Sequence, residues 1–314
     1  AIQSVLESNS TDETKLGNNS TFIYSSDKTA TITNSTPLRT TGNKNYGIYA
    51  SGNITNLADM DFSSGVGNVG ILNVRDIGST TSKAVNGQLG AVTQPTITVG
   101  RSDIANKNYS IGMAAGYLDK NGVLKQTGHV ENYGKIDVVG EGGIGMYAAG
   151  SGSTAINHIG AEINLRSSVS KDNPNIGMFT ETLEDGYGSN LFNSGDIIGG
   201  DNNYGIYGAY IWHDTGKIKL GNNSVGIFGL ANIVDSPSEV NVTDGEIEVG
   251  NNSKGIFVSG SSATKVINGA KMTIGDNSFA YVLKTKEIPE DPVTGNPAIQ
   301  SVLESNSTDE TKLG

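Results

Sequence analysis

The chain has no cysteine among its 314 residues. That excludes disulfides, cysteine-ligated zinc and thiol catalysis. It has one tryptophan and seven prolines, and only 35% of its residues are hydrophobic. At this length, so little apolar material implies a thin core rather than a thick globule. No apolar run approaches ~18 residues, so no transmembrane helix is expected. The stretch from Ala1 is polar and has no basic region followed by an apolar core, so no export leader is read there. Basic residues are also scarce: 21 Lys and Arg face 32 Asp and Glu, for a net charge of −11. A polyanionic surface argues against nucleic acid, whose phosphates need clustered Lys and Arg. It favours solubility and repulsion between neighbouring fibres.

Glycine is abundant instead, with 43 residues, and so are Asn, Ser and Thr. Regular Ile/Val alternation throughout argues against disorder. The seventeen residues from Ala1 to Gly17, AIQSVLESNSTDETKLG, recur unchanged from Ala298 to Gly314. Residues 1–297 therefore read as one complete unit, and 298–314 as the start of the next. This favours a long repetitive fibre over an enzyme.

A shorter repeat lies inside the long one. One motif reads GNNSTFIY at Gly17–Tyr24, GNKNYGIYA at Gly42–Ala50, GDNNYGIYG at Gly200–Gly208 and GNNSVGIFG at Gly221–Gly229. GNNSKGIF at Gly250–Phe257 and GDNSFAYV at Gly275–Val282 continue it. Weaker copies bring the total to ten per unit, at intervals of 21–42 residues. A second element precedes most copies, as NYGKIDVVG at Asn132–Gly140, NSGDIIGG at Asn193–Gly200, DTGKIKLG at Asp214–Gly221 and TDGEIEVG at Thr243–Gly250. Its alternation marks a strand with one buried face, and the flanking Gly and Asn mark turns. Each unit is then strand, tight turn, strand and a variable segment. The longest variable segments run from Leu72 to Ser110 and from Val282 across the unit boundary.

Such a strand pair cannot bury its apolar face alone, but stacked copies can. The expected fold is all-β: a parallel β-helix, or β-solenoid, wound right-handed from its coil length. About ten coils would form each 297-residue unit, uncapped at both ends, rising roughly 48 Å at strand spacing. Ile136, Val138, Ile218, Leu220, Ile247, Val249, Met272 and Ile274 should point inward. So should Ile48, Met146, Met178, Ile206, Ile227 and Ile256. Asn222, Asn251 and Asn202 are expected to form a side-chain amide ladder between coils.

Chemistry is sparse. A glycan-cleaving β-helix would need clustered carboxylates or basic residues, and the available group is Asp185, Asp196, Asp201 and Asp214, with Trp212 and His213 nearby. These read more simply as turn and solvated acids; paired carboxylates act only when geometry brings them together. His129, His158 and His213 lack the spacing of a helical zinc site and are read as loop decorations. No G-x-S-x-G elbow occurs. The glycine run Gly140–Gly145 lies between strands, not before a helix, so the phosphate-binding mechanism fails. Gly199-Gly200-Asp201 faintly resembles a calcium nonapeptide without its period. The sequons at Asn53–Thr55 and Asn241–Thr243 read as incidental to an Asn- and Thr-rich composition. Tyr117, Tyr187, Tyr210 and Trp212 fall in variable segments, where aromatics can make adhesive contacts or pack over a coil edge. No catalytic, cofactor-binding or metal-binding residue is assigned, and no cofactor is expected.

The alternation of N-x-G-x-I-x-V-G with G-[ND]-N-S-x-G-I-[YF] resembles the passenger domains of large bacterial autotransporter adhesins, especially those of fusobacteria. The resemblance covers Gly17–Val282 and is clearest over Asn193–Val282. It implies an exported right-handed β-helix displayed on the bacterial cell surface. GNNSVGIFG is also similar to the NSVAIG repeat of trimeric autotransporter heads, whose period is about half that seen here. The expected role is a non-enzymatic structural and adhesive surface fibre. Its expected partners are identical units stacked end to end and receptors on host-cell, bacterial or glycan surfaces. Two alternatives are an end-to-end self-assembling extracellular filament and a secreted β-helix polysaccharide lyase or hydrolase.

Overall fold

Alternating sequences that cannot pair locally build ladders between coils in the computed structural model, which describes residues 4–180, 188–233, 237–292, 296–308 and 312–313. Three long sheets run the length of the stack, and every neighbouring pair of described strands in them is parallel, with one register shift, between Met60–Val66 and Thr96–Arg101. Sheet A has eleven strands, from Val5–Ser8 to Val302–Ser305. Sheet B has eleven, from Thr14–Leu16 to Lys312–Leu313, and sheet C has ten, from Thr21–Ser25 to Phe279–Lys284. The chain is a parallel β-helix of ten coils and part of an eleventh, with the right-handed sense that parallel crossovers take. The only helical turn among the described residues is a 3₁₀ segment, Ile104–Asn106.

The x-G-x-I-x-V element forms sheet B and the G-I-[YF] element forms sheet C. Sheet A was hidden inside the variable segments. Its signal is a short run ending in Asn immediately before the sheet B strand, as in TITN (Thr31–Asn34), NITN (Asn53–Asn56) and TAIN (Thr154–Asn157). The long variable segment from Leu72 to Ser110 contains a strand of sheet A (Ala84–Asn86) that its length concealed, ahead of the sheet B strand Thr96–Arg101.

All fourteen residues expected to face inward do so, and none is more than 3% exposed. Like residues stack on like: Ile97, Ile136, Ile163, Ile197, Ile218 and Ile247 sit in one register column of sheet B. A single apolar column thus runs through every coil, which supplies the stacking energy that no coil could provide alone.

The turn chemistry explains the remaining motif letters. The second Asn of GNNS takes a left-handed conformation, with φ of 53° at Asn223 and 56° at Asn252, which Asn tolerates. Asn202 holds the same position, with φ of 59°. The Ser that follows receives the backbone N–H of its predecessor one coil back, as when Ser224 N–H donates to Ser253 Oγ at 3.0 Å and Ser253 N–H to Ser278 Oγ at 2.8 Å. The Gly of G-I-[YF] sits where coils approach most closely. A Cβ on Gly145 would lie 2.6 Å from the Gly177 carbonyl oxygen and 2.8 Å from Ile163 Cγ2. Gly145→Ala is therefore expected to destabilise by about 1–3 kcal/mol through overpacking; an unshifted urea midpoint would remove this reading of the motif.

Asn222 and Asn251 do not form an amide–amide ladder. They are exposed, and each Oδ1 accepts a backbone N–H of the next coil: Asn251 N–H to Asn222 at 2.8 Å and Asp276 N–H to Asn251 at 2.8 Å. The amide ladder lies instead at the inward end of sheet A. Asn34, Asn56, Asn86, Asn132, Asn157 and Asn193 are buried, and each Nδ2 donates to the Oδ1 of the next at 2.9 Å. The last, Asn193, donates to Nδ1 of buried His213 at 2.9 Å.

Candidate functional site

The described carboxylates considered for catalysis each accept a hydrogen bond from the next coil. Asp196 Oδ1 accepts the Lys217 N–H at 2.9 Å, Asp201 Oδ1 the Asn222 N–H at 2.7 Å, and Asp214 Oδ1 the Thr243 hydroxyl at 2.7 Å. Each joins its coil to the next, Asp196 and Asp214 at the corner between sheets A and B and Asp201 at the corner between sheets B and C. Asp185 and Tyr187 lie outside the described residues. Trp212 and His213 are adjacent in the strand Tyr210–His213, so they face opposite sides of sheet A. Trp212 points outward, stacked on Phe192 with centroids 4.8 Å apart, and His213 is buried in the core. Tyr210 and Trp212 thus belong to a strand, not a loop. The glycine run Gly140–Gly145 joins strands of sheets B and C, as expected.

The other two histidines converge, although 29 residues separate them. His129 lies in the strand His129–Asn132, and His158 follows the strand Thr154–Asn157 that pairs with it. Their Nε2 atoms reach the two oxygens of one carboxylate, Glu131, at 3.0 and 3.1 Å. The Lys83 ammonium, from the preceding coil, lies 2.9 Å from Glu131 Oε1. The Tyr133 ring stacks on His158 at 4.0 Å and its hydroxyl faces Glu131 Oε2 at 3.4 Å. Glu131 is only 6% exposed. Burial pushes its carboxyl upward, but the donors on His129, His158 and Lys83 outweigh this and hold it far below the usual carboxylate range. An acid held ionised this firmly cannot give up a proton as a general acid near neutrality. The cluster is suited to fixing the outer face of sheet A. Spacing along the chain gave no sign of it, because the loops between these strands differ in length.

The solenoid's faces differ in chemistry. The outer side of sheet B carries opposite charges in register, with Lys135 beside Glu162 at 2.9 Å, Lys217 beside Glu246 at 2.8 Å and Lys219 beside Glu248 at 2.9 Å. Such exposed pairs contribute little to stability. The outer side of sheet C carries a file of rings, one per coil: Tyr147, Phe179, Tyr207, Phe228 and Phe257, with successive centroids 4.5–5.7 Å apart.

Loops elaborate the third to sixth coils and wall two clefts. One, of about 890 Å³, is polar and is lined by Lys44, Arg101, Asp103, Asn106 and Glu141 among others. The other, of about 460 Å³, lies between the 3₁₀ turn and an antiparallel hairpin, Tyr117–Leu118 with Leu124–Gln126. Its walls include Tyr109, Tyr117, Tyr147 and Phe179, with Asp119 and Lys120 at the hairpin end. Of the aromatics singled out from the sequence, Tyr117 lines this cleft. Among the described residues, no three His, Asp or Glu side chains are grouped to hold a metal ion.

The chain is thus a loop-bearing parallel β-helix with one charged face and one aromatic face. The chain belongs to the family of the BigA third pectate lyase-like domain, whose model matches residues 2–182, or 181 of the 314 residues. BigA is a bacterial surface protein of autotransporter type. The match establishes a bacterial surface β-helix family and does not single out fusobacterial proteins. No curated protein and no solved structure matches the chain. No helix among the described residues is long and apolar enough to cross a membrane.

Proposed function

We propose that this chain is a structural and adhesive fibre of the bacterial cell surface, the passenger part of an autotransporter-type adhesin, in which the solenoid gives reach and the loops make contact. The observation that carries this reading is the equivalence of the two seventeen-residue copies. Val5–Ser8 lies beside Thr31–Asn34 in sheet A, and Val302–Ser305, ten strands further on in the same sheet, lies beside Lys265–Asn268. A fibre of such units would lengthen by roughly 48 Å per 297 residues. The clustering of loops and clefts on a few coils gives each unit one elaborated region, which suits attachment at regular intervals. An extracellular location follows from the same reading.

A second reading, polysaccharide cleavage, is favoured by the family's description as pectate lyase-like and by the mixture of Arg101, Lys44, Asp103 and Glu141 in the larger cleft. One pair of assays separates the two. Deleting the coding region should reduce attachment of the producing cells to host cells or glycan-coated surfaces several-fold. The purified chain should release no product from uronate polysaccharides. Unchanged attachment, or steady turnover of such a polysaccharide, would sink the fibre reading.

A further inference from the structure

We propose that two adjoining clefts at the corner between sheets B and C form one track that binds an acidic glycan with a carboxylate on alternate sugars. This names the receptor chemistry of the loops and rests on the attachment reading.

A further cleft, of about 700 Å³, adjoins the polar one of about 890 Å³, and Asn43, Val66, Arg101 and Glu141 line both. Three cations stand along the pair: Lys44 in the first cleft, Arg166 in the second and Arg101 in both. Lys44 follows the sheet B strand Leu38–Thr40, Arg101 ends the strand Thr96–Arg101, and Arg166 follows Glu162–Leu165. Those are the second, fourth and sixth strands of the sheet, so a cation recurs on every second coil, roughly 10 Å apart along the axis. Backbone contacts keep the row at one corner. The Lys44 N–H donates to the Val66 carbonyl at 3.0 Å, Val66 is in register with Arg101, and the Arg166 N–H donates to the Val138 carbonyl at 2.9 Å.

Charge in the track is divided unevenly. Both of its carboxylates are engaged by this chain's own donors. Asp103 accepts from Asn106 Nδ2 at 2.7 Å, and the two oxygens of Glu141 accept the Val169 N–H at 3.0 and 3.1 Å. The three cations are exposed, and among the described residues none makes a side-chain hydrogen bond or an ion pair; Arg101 only lies in the field of Asp103. Three cations against two carboxylates make the track net positive in a chain of net charge −11. That draws an anion here rather than to the rest of the surface. The planar fork of a guanidinium takes a carboxylate by two hydrogen bonds.

Glu141 sets the spacing of the ligand's charges. It follows the fifth strand of sheet B, Lys135–Val138, and so stands on the coil between Arg101 and Arg166. The coil between Lys44 and Arg101 presents Ser63, Gly65 and Val66, which carry no charge. An extended chain of pyranose rings advances by about one coil per sugar. A glycan charged on every sugar would press a carboxylate against Glu141, and like charges in contact oppose binding. A glycan charged on alternate sugars meets the cations with its carboxylates and Glu141 with hydroxyl groups, which donate to it.

The test is calorimetry on the full chain at low salt with three hexasaccharides. Hyaluronan carries a carboxylate on every second sugar, polygalacturonate on every sugar, and chitin on none. Hyaluronan should bind, chitin should give no heat, and polygalacturonate should bind at least about ten-fold more weakly than hyaluronan. Arg101→Ala removes the cation that both clefts share and should weaken hyaluronan binding by at least about ten-fold. Lys265→Ala, an exposed position on the outer side of sheet A, should leave binding unchanged. Glu141→Gln should narrow the gap between hyaluronan and polygalacturonate. Should Arg101→Ala fail to fold, Arg166→Ala tests the second cleft in the same way. The proposal is overturned by any of three results: no heat with hyaluronan, polygalacturonate bound as tightly, or binding indifferent to the arginine. A gap that Glu141→Gln does not narrow overturns the assignment of alternate charges. Failure here leaves the attachment of producing cells to be judged by its own assay. Tight hyaluronan binding without such attachment would fault only the adhesive reading.

Discussion

Replacing Asn157 by alanine is expected to destabilise the protein by roughly 3–5 kcal/mol, because it opens the sheet A ladder in the middle. The Asn157 amide accepts from Asn132 Nδ2 and donates to Asn193 Oδ1, each at 2.9 Å, and all three residues are no more than 1% exposed. Alanine leaves a donor on one side and an acceptor on the other buried without a partner. Each such group costs about 1–3 kcal/mol, and the small void adds to it. The change is local to one coil, but a solenoid's stability is a sum of nearest-neighbour contacts, so a broken interface weakens both halves. Asn222→Ala is the contrast. Asn222 is exposed and accepts a single N–H, that of Asn251, so its loss should cost no more than about 1 kcal/mol. Urea denaturation of the two variants side by side measures the difference. Equal midpoints would mean that the buried ladder contributes no more than a surface turn.

The second large effect is a pH dependence. His213 stands where the ladder would place another Asn, and Val242 follows it in register, so the hydrogen-bonded column ends there. With Asn193 Nδ2 donating to Nδ1, the proton of the neutral ring is assigned to Nε2, which has no partner among the described residues. Burial lowers the His213 pKa from 6.5 to about 4, against the opposing contact with Asn193 and the fields of Asp214 and Asp244. The sign follows from linkage. The unfolded chain takes up a proton near pH 6.5 and the folded chain only near pH 4, so the unfolded state binds more protons between these values. The associated stability is fully present above pH 6.5 and is lost as the pH falls to about 4. It amounts to about 3 kcal/mol. His213→Asn removes the titrating group and keeps an acceptor for Asn193. Its stability should therefore lose that much less than the wild type's between pH 7 and pH 4, with little change at pH 7. Parallel losses in both proteins would exclude His213 as the source.

The coil was legible because its rules are local. Alternation over four residues, as in KIDV at Lys135–Val138, fixes which side chains enter the core, and GNN followed by Ser fixes a turn that needs a left-handed residue. Those signals gave sheets B and C and every inward residue named for them. Sheet A was also written locally, but its Asn-terminated run was read as the beginning of the next element. The Gly of G-I-[YF] was visible as a constant, while its reason was not, because the atom it must avoid belongs to the next coil.

By itself, then, the amino-acid sequence determined the strand pattern, the turn chemistry, the inward faces and the identity of the two seventeen-residue copies. Only the tertiary structure decided which residues meet across coils: the amides from Asn34 to Asn193, the two histidines on Glu131, the rings outside sheet C, and the two edges used by the repeated segment. The reason is physical. A period-2 strand assigns a face to each residue through its own backbone, whereas a partner one coil away is separated by 20 to 50 residues of loops of unequal length. Register across that gap is set by the core packing as a whole, and no fixed spacing along the chain encodes it.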